Sequence, residues 1–180
     1  WYVSDPNNPL TFTLDPLGVG TTYTPDETSD LSNPTDYYYM VEVLGSDPLC
    51  IGRDTVKVTY NPIPLDLNLV QSATYLCETG SIDITVELSQ AIMEYQVQDL
   101  LGTPLTAFTA GNGGDLILNL PLVNTPSQFV VFAQGITFPC SAYMTDTITV
   151  DINPLPDVVL SGTTYICPGE TATLTAEFTG

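Results

Sequence analysis

Asp54-Thr55-Val56-Lys57-Val58-Thr59-Tyr60-Asn61-Pro62-Ile63-Pro64 returns 92 positions later as Asp146-Thr147-Ile148-Thr149-Val150-Asp151-Ile152-Asn153-Pro154-Leu155-Pro156. Asp, Thr, Val, Asn and both prolines recur in phase, with Val56 replaced by Ile148. A fixed internal period decides architecture before local propensity does, because each repeat must be one folding unit. Outside this stretch the offset becomes 90: Thr74-Tyr75-Leu76-Cys77 matches Thr164-Tyr165-Ile166-Cys167, and Cys50 matches Cys140. Tyr39, Val41, Val43 and Gly45 correspond to Phe129, Val131, Ala133 and Gly135, alternating with the period of one strand face. The phase divides the chain into the C-terminal part of one module (1–62), a complete module (63–154) and the N-terminal part of a third (155–180).

Within the complete module, runs rich in β-branched and aromatic residues predict strands at 65–70, 82–88, 92–98, 105–109, 116–120, 128–134 and 145–151. Gly111-Asn112-Gly113-Gly114 reads as a turn before the fifth. Seven short strands in about 90 residues is the immunoglobulin-like count, so the expected fold is all-β, built of tandem immunoglobulin-like β-sandwich modules. The segments Asn61-Pro62-Ile63-Pro64 and Asn153-Pro154-Leu155-Pro156 favour extended backbone and lack normal ladder donors, so they read as short, stiff linkers.

The charge is lopsided: 21 Asp and Glu against 2 Lys and Arg, a net charge of -19. Such a surface repels phosphate backbones and anionic lipid, which argues against nucleic acid and membrane partners. No apolar run approaches the eighteen or so residues of a spanning helix, so no membrane insertion is expected. The chain opens at Trp1 with no Met and no basic, apolar leader, and is expected to be an interior stretch of a longer protein.

Four pieces carry a family resemblance: Tyr165-Ile166-Cys167-Pro168-Gly169-Glu170-Thr171-Ala172-Thr173-Leu174-Thr175-Ala176, the pair Trp1-Tyr2, the Tyr38 to Val43 strand leading to Cys50, and the Asn-Pro-Leu-Pro stretch from Asn153. They are similar to the immunoglobulin-like repeats of giant surface proteins in gliding and predatory Bacteroidetes, substrates of type IX secretion. The resemblance implies an extracellular, cell-surface adhesin or appendage. The middle module departs from it, with Tyr95 near the expected Trp and Glu78-Thr79-Gly80 in place of Pro168-Gly169-Glu170.

In a secreted setting, Cys50, Cys77, Cys140 and Cys167 are expected to form disulfides. Cys77 and Cys140 are the two that fall in one complete module. Ordinary immunoglobulin topology, however, sets them at opposite ends of strands that run the same way, on the order of 20 Å apart at about 3.3 Å per residue. The alternative joins Cys77 to the Cys140 equivalent of the following module; both readings stand open on the sequence. Asp54-Thr55-Val56 and Asp146-Thr147-Ile148 are similar to the Asp-Ser/Thr-aliphatic acceptor for O-glycosylation in this bacterial group, which makes Thr55 and Thr147 candidates beside the plain reading of outward strand residues.

A calcium site at Asp26, Glu27 and Asp30, or at Asp5, Asn7 and Asn8, is weighed against solvated loops; neither matches a spaced calcium loop. No cofactor is otherwise expected. The chain has no His, no Gly-x-Ser-x-Gly elbow and no phosphate loop, and its strand acids alternate with apolar residues, so no enzymatic activity is expected. A Lys to Asn staple fails because Lys57 is replaced by Thr149 in the repeat, and Asn33-Pro34-Thr35 is closed to N-glycosylation by its proline. Tyr38, Met40, Val130 and Phe132 would be covered by loops or would mediate side-by-side contact. The expected partners are neighbouring modules of the same chain, identical chains in a bundle, and other cells or surface glycans bound through other regions. The expected role is structural, giving reach and stiffness; the alternative is a binding module using 18–34 or 110–115, or a subunit of a multi-chain filament.

Overall fold

A computed structural model describes residues 1–15, 18–25, 33–47, 49–162 and 164–179. It is all-β, with no helix among the described residues. Strands β1 (Tyr2–Asp5), β2 (Asn8–Leu14), β3 (Thr35–Leu44) and β4 (Ile51–Tyr60) form one antiparallel sheet in the order β2-β1-β3-β4. The middle of the chain holds β5 (Leu69–Gln71), β6 (Tyr75–Cys77), β7 (Gly80–Val86), β8 (Met93–Asp99), β9 (Thr109–Ala110), β10 (Leu116–Val123), β11 (Ser127–Gly135) and β12 (Ser141–Asn153). A hairpin of β13 (Asp157–Gly162) and β14 (Leu174–Thr179) follows.

The middle strands make two sheets, ordered β10-β7-β5 and β6-β12-β11-β8-β9. Alternation puts every second residue of each strand on the same face, and both sheets turn that face to one shared core. Ile82, Ile84 and Val86 of β7 and Leu116, Leu118 and Leu120 of β10 pack with Tyr95 and Val97 of β8, Phe129 and Val131 of β11, and Ile148 and Val150 of β12. Burying a side chain of this size contributes about 1.5–3 kcal/mol, so the core is the main source of stability here.

The two repeat offsets have a structural cause. In β3 and β4, Tyr37, Tyr38, Tyr39 and Met40 stand opposite Val58, Lys57, Val56 and Thr55. In β11 and β12, Ser127, Gln128, Phe129 and Val130 stand opposite Val150, Thr149, Ile148 and Thr147, the same register carried forward by 90 and 92. Glu42, Val43 and Leu44 face Arg53, Gly52 and Ile51, while Phe132, Ala133 and Gln134 face Tyr143, Ala142 and Ser141, a step of 90 on both strands. Two extra residues of β12 are absorbed between these blocks, where the pairing shifts at Val130 to Phe132. The irregularity has work to do: Met144 is 3% exposed in the core, and Thr145 donates both N–H and hydroxyl to Asp66.

That insertion corrects the first expected strand. Residues 65–68 are not in a ladder, because Leu65 N–H donates to Gln90 Oε1, Leu67 N–H lies 3.3 Å from Met144 Sδ and Asp66 holds Thr145; pairing begins only at Leu69. The expected strand at 105–109 shrinks to β9, since Pro104 lacks a donor and the Thr106 hydroxyl, in place of a main-chain carbonyl, accepts from Val97 N–H. Strand β6 is absent from the pattern-based expectation. It pairs in parallel with β12 and needs that distant partner to exist. The sheet alternation of Glu94 with Met93 and Tyr95 is as expected, and Glu94 accepts from Gln134 across the strands.

Candidate functional site

The chemistry-bearing residues gather at the two ends of the two-sheet unit formed by β5 to β12. At the near end, where the linker from β4 arrives, Pro62 and Pro64 are buried and Leu65 is held by Gln90. Cys140 follows the β11–β12 turn, which Gly135 N–H closes by donating to the Cys140 carbonyl. Its Sγ lies 3.9 Å from the Asn61 carbonyl oxygen. The equivalent turn in the first sheet is closed in the same way, Gly45 N–H donating to the Cys50 carbonyl at 2.7 Å. Gln90 is itself fixed by the Tyr95 hydroxyl, which accepts its N–H; burial holds the Tyr95 phenol above its ordinary pKa despite that bond. Gly111 passes so close to the Gln90 carbonyl that an added Cβ would meet it at 2.2 Å.

At the far end, Cys77 closes β6 opposite Asn153, the last residue of β12, and Glu78 N–H donates to the Asn153 carbonyl at 2.9 Å. Asn153 therefore belongs to the sheet and only Pro154, Leu155 and Pro156 remain as linker, exposed. The chain reverses after Cys77 through Glu78, whose φ is 62°, whereas between β13 and β14 Gly169 takes the left-handed position at φ 96°. Only the second of these turns uses the residue that adopts such a backbone without strain. The far end also carries an open groove of about 570 Å³ between the loop after β8 and the β10–β11 connection, lined by Leu101, Leu105, Pro121, Leu122 and Phe129.

The four cysteines are not joined to one another in the structure. Of the two pairings left open by the sequence, a bridge between Cys77 and Cys140 does not fit this geometry: they stand at opposite ends of the thirteen-residue β12, on the order of 40 Å apart at about 3.3 Å per residue. The separation expected from the sequence is shorter because it is counted along strands of about six residues, whereas β12 has thirteen. Such a gap is far beyond the roughly 7 Å Cα separation a disulfide spans.

Thr147 is exposed on β12 between inward Ile148 and outward Val130 opposite, and Thr55 is exposed at the equivalent place, with its N–H donating to Asp54. Asp26, Glu27 and Asp30 lie outside the described residues. Asp5 is committed to its own turn, accepting from Asn7 N–H, and among the described residues no group of three Cys, Asp or Glu is placed to hold a metal.

The outward faces of β8 and β11 are partly covered, with Gln96 and Gln98 buried and Val130 and Phe132 half-buried. Phe132 packs between Phe108, 6.2 Å away, and Tyr143, 5.0 Å away. Beneath the same loop, Tyr143 donates to Gln98, Gln98 to Gln96 and Gln96 to the Thr106 carbonyl. Asp99 starts that loop by accepting from Thr103 and Leu101 N–H, and the Thr103 bond foremost holds its carboxyl below the ordinary value. Asp66 is lowered likewise, first by the Thr145 hydroxyl. On β3 and β4, Thr59 and then Lys57 lower Asp36, and Arg53 pairs with Glu42 at 2.7 Å.

No protein-family model matches the chain, and no curated protein matches it in sequence.

Proposed function

We propose that the chain is a stretch of tandem immunoglobulin-like modules in an extended secreted or cell-surface adhesin or filament, serving reach and stiffness rather than catalysis. The observation that carries this reading is the strand register of β3 and β4, reproduced in β11 and β12 across one repeat. The order β10-β7-β5 against β6-β12-β11-β8-β9, with β5 and β6 split between the sheets, supports the immunoglobulin-like class. Buried prolines in the 61–64 linker and the Gln90 bond to Leu65 support a stiff junction in place of a flexible tether. The scattered acids serve a solvated surface that resists association with anionic partners.

The test is deletion of residues 63–154 from the full-length chain displayed at the cell surface. A structural module predicts an appendage shorter by roughly 30–40 Å, with attachment retained. Abolished attachment would overturn this role in favour of a module that itself binds glycan or a neighbouring cell.

A further inference from the structure

The two cysteines of a module stand at opposite ends, yet each stands against the same residue of the repeat. Cys140 Sγ lies 3.9 Å from the carbonyl oxygen of Asn61, in the linker that leads into its module. Cys77 stands opposite Asn153, whose carbonyl accepts from Glu78 N–H at 2.9 Å, in the strand that leads out of that module. Asn61 and Asn153 are the same position one repeat apart, each followed by Pro-x-Pro. Carried forward by one repeat, the Cys140 contact brings a sulfur to the Asn153 carbonyl, beside Cys77. We propose that Cys77 forms a disulfide with the Cys140 equivalent of the following module, and Cys140 with the Cys77 equivalent of the preceding one, so that each junction is stapled across its Asn-Pro-x-Pro linker.

This rests on the tandem-array reading above. Three further observations fit it. Cys77 is exposed, while its neighbour Leu76 packs against the core, so the thiol points away from its own module. The junction is preformed: Pro62 and Pro64 are buried and their φ angles are fixed by the ring, which sets where Asn61 meets the module that follows. Finally, the repeat places the partners of all four cysteines outside residues 1–180. Cys77 and Cys167 would pair forward, Cys50 and Cys140 backward.

Each staple converts two S–H groups into one S–S bond, with two electrons and two protons passing to an oxidant of the disulfide class, whose S–S bond breaks to give two thiols. Because the linker is short, the staple adds little to the stability of either module alone. What it restricts is rotation and bending between them, and it keeps the junction closed under load.

The experiment uses the full-length chain, with free thiols alkylated before unfolding and digestion performed without reduction. With only 2 basic residues among the 180, cleavage after Asp and Glu is the useful choice, and it isolates Cys77 on 67–78 and Cys140 on 116–146. The expected result is the 67–78 peptide joined to one from beyond Gly180, and the 116–146 peptide joined to one from before Trp1. Alkylated Cys77 and Cys140, or the two joined to each other, would overturn the staple. Either contrary result leaves the array reading to its own deletion test, since that experiment reads length and attachment and no thiol. A Cys77→Ser variant extends the check: stretched as a single molecule, it should bend more freely at one junction while each module unfolds at unchanged force.

Discussion

The hairpin of β3 and β4 and the hairpin of β11 and β12 share one register and differ in what lies against them. Val56 is 55% exposed, while its repeat partner Ile148 is 3% exposed. Opposite Ile148 stands a second sheet, β10-β7-β5, filling the space with Ile84 and Leu118. Among the described residues, no such sheet covers β3 and β4. Tyr23 takes part of that place, stacked on Trp1 at 5.6 Å and tilted against Tyr39 at 5.7 Å, and Tyr39 is 2% exposed as a result. Pairing register is thus written locally, in alternation and turn closure, while burial is a property of the whole two-sheet unit.

The contrast between the hairpins is sharpest in the core. Ile84→Ala empties a fully enclosed site and should cost about 2–4 kcal/mol, whereas Val56→Ala should cost no more than about 0.5 kcal/mol. Urea unfolding of the two variants measures both; equal losses would mean that the first sheet is as well covered as the two-sheet core of β5 to β12. Deleting Met144 and Thr145 should restore the plain 90-residue register of β12 but remove a core side chain and the Asp66 bonds. A loss of about 2–3 kcal/mol is expected in thermal or urea unfolding.

A smaller effect of opposite sign is expected at the turn after Cys77. Glu78→Gly relieves the φ of 62° and leaves the N–H bond to Asn153 in place, so stability should rise by about 0.5–1 kcal/mol. The same change at Glu170, which follows the glycine already in that role, relieves no strain and removes the carboxylate that accepts from Cys167 N–H, so stability should fall by about 0.5–1 kcal/mol. The smallest effects concern pH. Asp66, Asp99 and Asp36 all ionise more readily folded than unfolded, so their contribution is present above the ordinary value of 3.8 and is lost as pH falls below it. Asp66→Asn and Asp99→Asn should flatten the acid limb of a melting-temperature profile for the two-sheet unit of β5 to β12, and Asp36→Asn should flatten it for the first sheet. At the other extreme, the raised Tyr95 contributes stability below its ordinary value of 10.0 that is lost as pH climbs past it.

Much of this architecture is legible in the sequence because it is periodic. The Asp-Thr-x-x-Val-x-x-Asn-Pro-x-Pro recurrence and the inward series Phe129, Val131 and Ala133 place β11 and β12, and the Gly-rich turn at 111–114 places the start of β10. What stays hidden depends on distant partners. Tyr75–Cys77 has nothing local to mark it as a strand; β12 makes it one. The jump of the offset from 90 to 92 is visible, but that it buries Met144 and unseats residues 65–68 from the ladder is a consequence of packing. Gln96 and Gln98 look like outward polar residues and are buried because the loop 100–108 folds back over them. At the module ends, the repeated cysteines are plain to see, whereas their shared relation to Asn61 and Asn153 emerges only in three dimensions.

If residues 63–154 are one complete cooperative unit and the hairpins on either side are not, native-state hydrogen exchange of the 180-residue chain shows it most directly. Amides of β7, β8, β11 and β12 should then exchange only through global opening of the middle unit. Amides of β4, and of the separate hairpin β13 and β14, against which no second sheet packs among the described residues, should exchange at least about a hundredfold faster, equivalent to about 2.7 kcal/mol or more. Equal protection across β4, β12 and β14 would contradict the division into one complete unit and two partial ones.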